Sequence, residues 1–222
     1  RGWRVVYLGQ RTPLDDITHL IRQTNPNVVA ISIATVIGLA GLVPWLVAAN
    51  RPAVQLGFGG RLVNALPSLR VRLPGVFLGE DVQTGVNNLA AAESRKDYWT
   101  PSRRTWKAVE ALRAGRLKIA GDTVARFMAV IPSALRRQWD ANAINFATLF
   151  LMDALACALA FDVPELIDAE RAWLKEAMPP RAVSSELIEK HIDTFAHVLT
   201  KSFSQEHNRM YQPLVARMKN RG

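Results

Sequence analysis

The runs Val28-Val29-Ala30-Ile31-Ser32-Ile33-Ala34-Thr35 and Val54-Gln55-Leu56-Gly57-Phe58-Gly59-Gly60 decide the fold. The first is apolar and partly β-branched, and the second has the length of a strand. Between them, residues 36–50 are apolar and helix-length. Strand, crossover helix and strand make a βαβ unit, whose two strands must run parallel. Strands this apolar on both faces suit a sheet covered by helices on both sides. In such sheets ligands bind outside the carboxyl ends of the strands. Those ends carry Ser32, Thr35, Gly59 and Gly60. A hydroxyl can bond a polar ligand there, and two residues without Cβ let a flat, bulky one approach the backbone.

Outward from this unit, residues 4–8 read as a further strand. Thr12 is the expected N-cap of a helix with Pro13 at its first position and Asp15 and Asp16 in its first turn. Asn25-Pro26-Asn27 stops that helix. Residues 65–72 predict a short helix, 76–78 a last short strand, and 81–92 a closing helix with Val82, Val86 and Leu89 inward. The polar stretch 94–105 reads as a linker and carries Tyr98 and Trp99, with Trp106 just beyond. From there the pattern is helical, with helices expected at 106–114, 117–138, 141–160, 164–176, 185–204 and 206–219, and Pro132 able to break the second. The fold class is therefore α/β plus all-α: a parallel-sheet domain at 1–93 and a helical domain at 106–222.

Composition narrows the partners. A hydrophobic fraction of 49% supports a substantial core. No run is expected to span a membrane; 31–49 comes closest, but Ser32, Thr35, Gly38, Gly41, Pro44 and its place in a βαβ unit argue against insertion. The lone Cys157 excludes an internal disulfide and fits a reducing, cytoplasmic setting. Four histidines and one cysteine show no metal-ligand spacing. The net charge of +9 is spread along the chain with no nucleic-acid-binding signature, and reads as a solvated basic surface.

Ser32-Ile33-Ala34 followed after a crossover by Gly59-Gly60 resembles the S-x-L…G-G half of the cobalamin (B12)-binding Rossmann-like domain. Gly2-Trp3-Arg4-Val5-Val6-Tyr7-Leu8-Gly9 with Thr12-Pro13-Leu14 is similar to that family's second strand and following turn, and Arg61, Gly79, Glu80 and Asp81 fit as well. The resemblance covers residues 1–89, and Ala34 departs from the usual Leu. It implies an open, parallel, flavodoxin-like sheet whose first strand is missing from the chain. It also implies a cobalamin site, adenosylcobalamin foremost, at Ser32, Ala34, Thr35, Gly59, Gly60, Arg61, Gly79 and Glu80. The family's D-x-H-x-x-G motif, which supplies a lower cobalt ligand, is expected upstream of Arg1; His19 matches nothing in it.

The helical half contains 155–166 (LACALAFDVPEL), Ala172-Trp173-Leu174-Lys175 and Pro180-Arg181-Ala182-Val183. It resembles the globin-like, non-haem sensor region that accompanies B12-binding domains in bacterial light-sensing proteins. The pair together resembles the photocobilins, which use cobalamin with the bilin biliverdin. A linear tetrapyrrole needs an apolar slot, donors for its ring carbonyls and cations for two propionates. His191, on the edge of the stripe Ile188, Ile192, Phe195, Leu199 and Phe203, could bond the pyrrole system or simply be a packed core histidine. Trp173 could stack on a chromophore or pack in the core, and Tyr98 and Trp99 could line a ligand or dock a domain. Cys157 could form a thioether or be a buried thiol, and His197 reads as a surface partner of Asp193. Arg103, Arg104, Arg136 and Arg137 are propionate candidates.

No enzyme constellation emerges: no nucleophile motif, phosphate loop or metal box. The expected function is a non-enzymatic light-sensing module binding cobalamin and biliverdin, in which a light-driven change at cobalt alters domain or subunit arrangement. Homo-oligomers and a fused or separate output domain are the expected partners. The alternatives are a corrinoid carrier for methyl transfer, a B12-dependent transcription-regulator sensor, and a cofactor-free scaffold. Carriers usually place their helical bundle before the Rossmann domain, and here the helices follow it.

Overall fold

The computed structural model describes residues 2–9, 12–47, 54–91, 100–137, 139–177 and 183–219. The chain divides into two compact units: Arg1–Ala34 with Gly41–Trp99, and Thr35–Ala40 with Thr100–Gly222.

The first unit is built on a parallel three-stranded sheet, β1 (Val28–Ser32), β2 (Gln55–Gly59) and β3 (Val76–Phe77), in the order β1-β2-β3. Val28 pairs with Gln55 and Ser32 with Gly59, so the two quoted runs end level. The crossover is the apolar helix α2 (Val36–Val47), preceded by α1 (Leu14–Thr24), which ends on a left-handed Asn25. Two short turns, α3 (Arg61–Ala65) and α4 (Pro67–Arg70), replace the single helix expected at 65–72, because Pro67 starts a new turn. Arg70 holds this corner: it donates to Val63 O at 2.9 Å and Asn64 O at 2.5 Å and stacks over the Phe77 ring at 4.1 Å. A closing helix, α5 (Val82–Ala91), follows.

Three expectations fail in this unit. Residues 4–8 belong to no strand, and Val5, Val6 and Tyr7 are exposed. Alternation makes a strand only where a neighbour offers its ladder, and the described sheet has none beside it. Thr12 does not cap α1; Pro13 holds the cap position, and the Thr12 hydroxyl donates back to Leu8 O. In α5, Val82 and Val86 face outward. The side turned to the sheet is instead Gly85 and Asn88, whose Nδ2 donates to Leu78 O at 3.1 Å.

The second unit is a bundle of α6 (Arg103–Val130), α7 (Ala141–Phe161), α8 (Glu165–Ala177), α9 (Ser185–Ser202) and α10 (Gln205–Lys219). Ser102 caps α6 by accepting from Thr105 N–H, so the helix begins inside the expected linker. It then runs unbroken through 106–130, where two helices were expected. Gly115 costs about 1 kcal/mol in a helix interior. Here it leaves room for Ile119 and the Phe203 ring, 3.3 Å from where a Cβ would stand. Pro132 ends the helix, and one 3₁₀ turn, Ser133–Arg137, leads on. Asp140 caps α7, Ser184 caps α9, and a left-handed Asp162 closes α7.

Helix α7 corrects another expectation: it is long and apolar enough to cross a membrane. Most of it is buried inside the bundle, between α6 and α8, which explains its all-round apolarity.

Candidate functional site

At the carboxyl end of the sheet, Ser32 and Gly59 end β1 and β2 level with each other, and Gly79, two residues past the end of β3, extends the row. Ser32 and Gly59 are register partners, and a Cβ on Gly59 would come no nearer than 4.0 Å to anything, the closest atom being Gly79 O. Ser32 is exposed and Gly59 half-buried. The row is thus an open shelf of backbone with one hydroxyl at its end. Gly60 and Gly79 turn the chain away with φ of +100° and +109°. At Gly60 no other residue fits, since a Cβ would lie 2.7 Å from both Ile33 N and Ile33 O. Ile33 clamps the turn by donating to Gly59 O at 2.8 Å and accepting from Leu62 N–H at 3.1 Å.

The other predicted residues of this site have partners of their own. Thr35 is exposed, but its Oγ1 accepts from Gly38 N–H at 3.1 Å and caps α2. Glu80 is bound to Arg70 at 2.9 Å. Asp81 accepts from Thr84 N–H at 2.9 Å and from its hydroxyl, which holds its carboxyl below the ordinary range. Ala34 and Arg61 are exposed beside the shelf's two turns. His19 is exposed on α1.

In the helical unit His191 is fully buried. Its ring meets Trp139 edge-on at 5.0 Å and Phe127 at 5.6 Å, and these two rings meet each other at 5.5 Å. Thr148 Oγ1 lies 2.8 Å from His191 Nε2 and donates its proton to Ile144 O. Nε2 is therefore the donor, and Nδ1 carries the lone pair. Burial drives the His191 pKa down to about 3, so the ring is neutral. Nδ1 has no partner among the described residues, and neither do the buried Trp139 Nε1 and Thr123 Oγ1. Thr123 stands one helical turn from Phe127 on the same buried face of α6. One acceptor, one donor and one hydroxyl are thus left unsatisfied around a three-ring cluster.

Sequence reasoning missed Trp139, Thr123 and Thr148. It also missed a second polar cluster, although Asp153 is the single charged residue between Asp140 and Asp162 and so asks for a partner. Arg116 supplies it with a two-pronged bridge at 2.9 and 2.7 Å. Burial raises the Asp153 carboxyl, and Arg116 opposes the shift. Glu170 is buried too; burial, then the charge of Asp153, pushes its pKa up to about 7.

Of the remaining candidates, Trp173 is partly exposed and meets Phe150 edge-on at 5.5 Å. Cys157 is buried, and burial pushes its thiol well above its ordinary range. Arg103, Arg104 and Arg136 are exposed, and Arg104 pairs with Glu206 at 3.1 Å. Asp193, the expected partner of His197, is bonded to Lys219 at 2.9 Å. Tyr98 and Trp99 lie outside the described residues, as do the rest of 94–99 in the expected linker and residues 180–182; of Arg137 only the backbone is described.

No family model matches the chain, and no curated protein matches it.

Proposed function

We propose that the chain is a light-sensing module whose first unit is a Rossmann-like cobalamin-binding domain and whose second is a globin-like bilin-binding domain. The observation that carries the reading is the shelf of Ser32 and Gly59 at the level ends of two parallel strands, with Gly79 just beyond the third. A flat ligand laid on it meets backbone without side chains, and the Ser32 hydroxyl supplies a bond at its edge. This fits the nucleotide tail of cobalamin. Bound cobalamin would supply a photolabile upper cobalt ligand.

For the second unit the support is the set of unsatisfied buried atoms at His191, Trp139 and Thr123. Unpaired buried polar atoms are costly, and a ligand bearing both donors and acceptors would satisfy them. Biliverdin has pyrrole N–H groups for the His191 lone pair and ring carbonyls for the Trp139 N–H. The closed packing of the three rings means that such a ligand must enter by moving one of them.

The visible absorption spectrum of the purified chain, supplied with cobalamin and biliverdin, tests the whole reading. Corrinoid bands with a far-red bilin band support it. Corrinoid bands alone leave a carrier or regulator domain, and a colourless protein rejects it. Gly59→Leu should weaken cobalamin binding, and His191→Ala should shift or weaken the bilin band. The cobalamin-loaded chain should change its association state on illumination, read by small-angle scattering, while the cofactor-free chain should not.

A further inference from the structure

The faces of α6 and α9 enclose an open groove of about 580 Å³, away from the buried His191 ring. Its floor is apolar, made by Ile119, Val198 and the Phe203 ring. Its rim is cationic. Arg126 on α6 and Lys201 on α9 are both exposed, and neither makes an ion pair among the described residues. His197 stands on the same wall, one helical turn before Lys201. The acid in the groove, Asp122, is held by Lys118 at 2.5 Å, so that pair cancels itself. Every other salt bridge described in this unit lies outside the groove.

We propose that this groove binds a small organic anion: one phosphate or carboxylate on a compact apolar body, the charged group between Arg126 and Lys201 and the body on Ile119, Val198 and Phe203. A concave surface lined by one sign of charge focuses the potential and concentrates the opposite ion. Both cations line the same groove, one from each helix, and an anion seated there meets the two together. The fork of Arg126 suits either oxyanion. His197 reports on the same field. The Arg126 charge, then a desolvation contribution, then Lys201 hold its pKa below the ordinary value, although the ring is exposed. The charges that shift its titration are thus Arg126 on α6 and Lys201 on its own helix; the other ionisable groups lining the groove are the paired Lys118 and Asp122.

The test is the His197 ring signal followed by NMR against pH in the full chain, with phenyl phosphate, hexanoate, inorganic phosphate or uncharged benzyl alcohol added. Phenyl phosphate or hexanoate should raise the His197 pKa; whichever binds tighter names the headgroup. Inorganic phosphate should bind more weakly because it leaves the apolar floor uncovered. Benzyl alcohol should not move it. The surface variant R126Q/K201Q should raise the pKa without any ligand and bind the organic anion about tenfold more weakly. An unmoved His197 at millimolar phenyl phosphate and hexanoate would overturn the proposal. So would equal binding by the variant, or equal binding of inorganic phosphate and both organic anions. The experiment uses no cobalamin or bilin, so its failure leaves the light-sensing reading standing, and the reverse also holds.

Discussion

The two units keep their polar groups in opposite places. In the sheet unit the special atoms are backbone, carried to the surface by Gly59, Gly60 and Gly79, and the nearby side chains Thr35, Glu80 and Asp81 are tied into caps and bridges. In the helical unit they are side chains buried out of solvent: His191, Trp139 and Thr123 unsatisfied, Asp153 and Glu170 ionisable. An open backbone shelf costs little to leave empty, because water solvates it. A buried unpaired polar atom costs on the order of 1–3 kcal/mol. The sheet unit should therefore be sensitive to geometry and, above the range in which Asp81 takes up a proton, little affected by pH, and the helical unit the reverse.

The largest effect expected is at Gly60. Gly60→Val places a branched side chain at a φ of +100°, with its Cβ 2.7 Å from the Ile33 backbone. No flexible side chain can yield there, so β1 and the β2 exit must part. The sheet unit should lose cooperative unfolding altogether, by about 4 kcal/mol or more. Hydrogen exchange should show the amides of β1 and β2 unprotected and those of α7 unchanged. Protection retained in β2 would show that the turn is not the keystone of the sheet.

The helical unit should answer to acid next. The folded His191 pKa is depressed from 6.5 to about 3. The unfolded chain therefore binds the proton first, and stability is lost as the pH falls from about 6.5 towards 3. At 1.36 kcal/mol per pH unit the limiting loss is about 5 kcal/mol. His191→Phe should flatten that limb of a stability-against-pH curve measured by urea unfolding. Glu170 acts with the opposite sign. Its folded pKa is raised from 4.5 to about 7, so its contribution is fully present below 4.5 and is lost as the pH rises through 7. The limiting loss is about 3 kcal/mol, and Glu170→Gln should remove it. A helical unit whose stability is level from pH 4 to 8 would erase the contrast between the two units.

How much of this was legible depends on the range over which each residue acts. The βαβ unit was, because alternation between two short runs and a helix-length spacer is local information, and so was the stop of α1 at Asn25. Residues 4–8 misled because a strand exists only when paired, and pairing is not local. Val82 and Val86 misled because an apolar stripe does not say which face of a short helix meets the sheet; Asn88 reaching Leu78 O decided that. Gly115 did not end α6, since packing against Phe203 outweighs propensity. At the sites, glycines forced by backbone were readable, whereas the Trp139–His191–Phe127 cluster joins α6, the bend before α7 and the distant α9. Asp153 could have been noticed as a lone charge, but not that Arg116 would answer it.

The smallest expected change is also the one that separates shelf from scaffold. Gly59 is in β2 with ordinary strand backbone, and a methyl group there meets nothing closer than Gly79 O at 4.0 Å. Gly59→Ala should therefore leave stability unchanged or raise it by about 0.5 kcal/mol, since alanine loses less backbone entropy than glycine on folding. On the proposed reading the same methyl stands where the flat tail of cobalamin must lie. It should hold the ligand off the backbone and cost at least about tenfold in affinity, or about 1.4 kcal/mol. Gly60→Val cannot make this distinction, because it damages fold and site together. The measurement is a pair: unfolding in urea without ligand, and cobalamin titration by absorbance. Unchanged stability with weakened binding identifies Gly59 as shelf. Unchanged stability with unchanged binding moves the ligand off the Ser32–Gly59–Gly79 row, and the level ends of β1 and β2 would then be a property of the sheet alone.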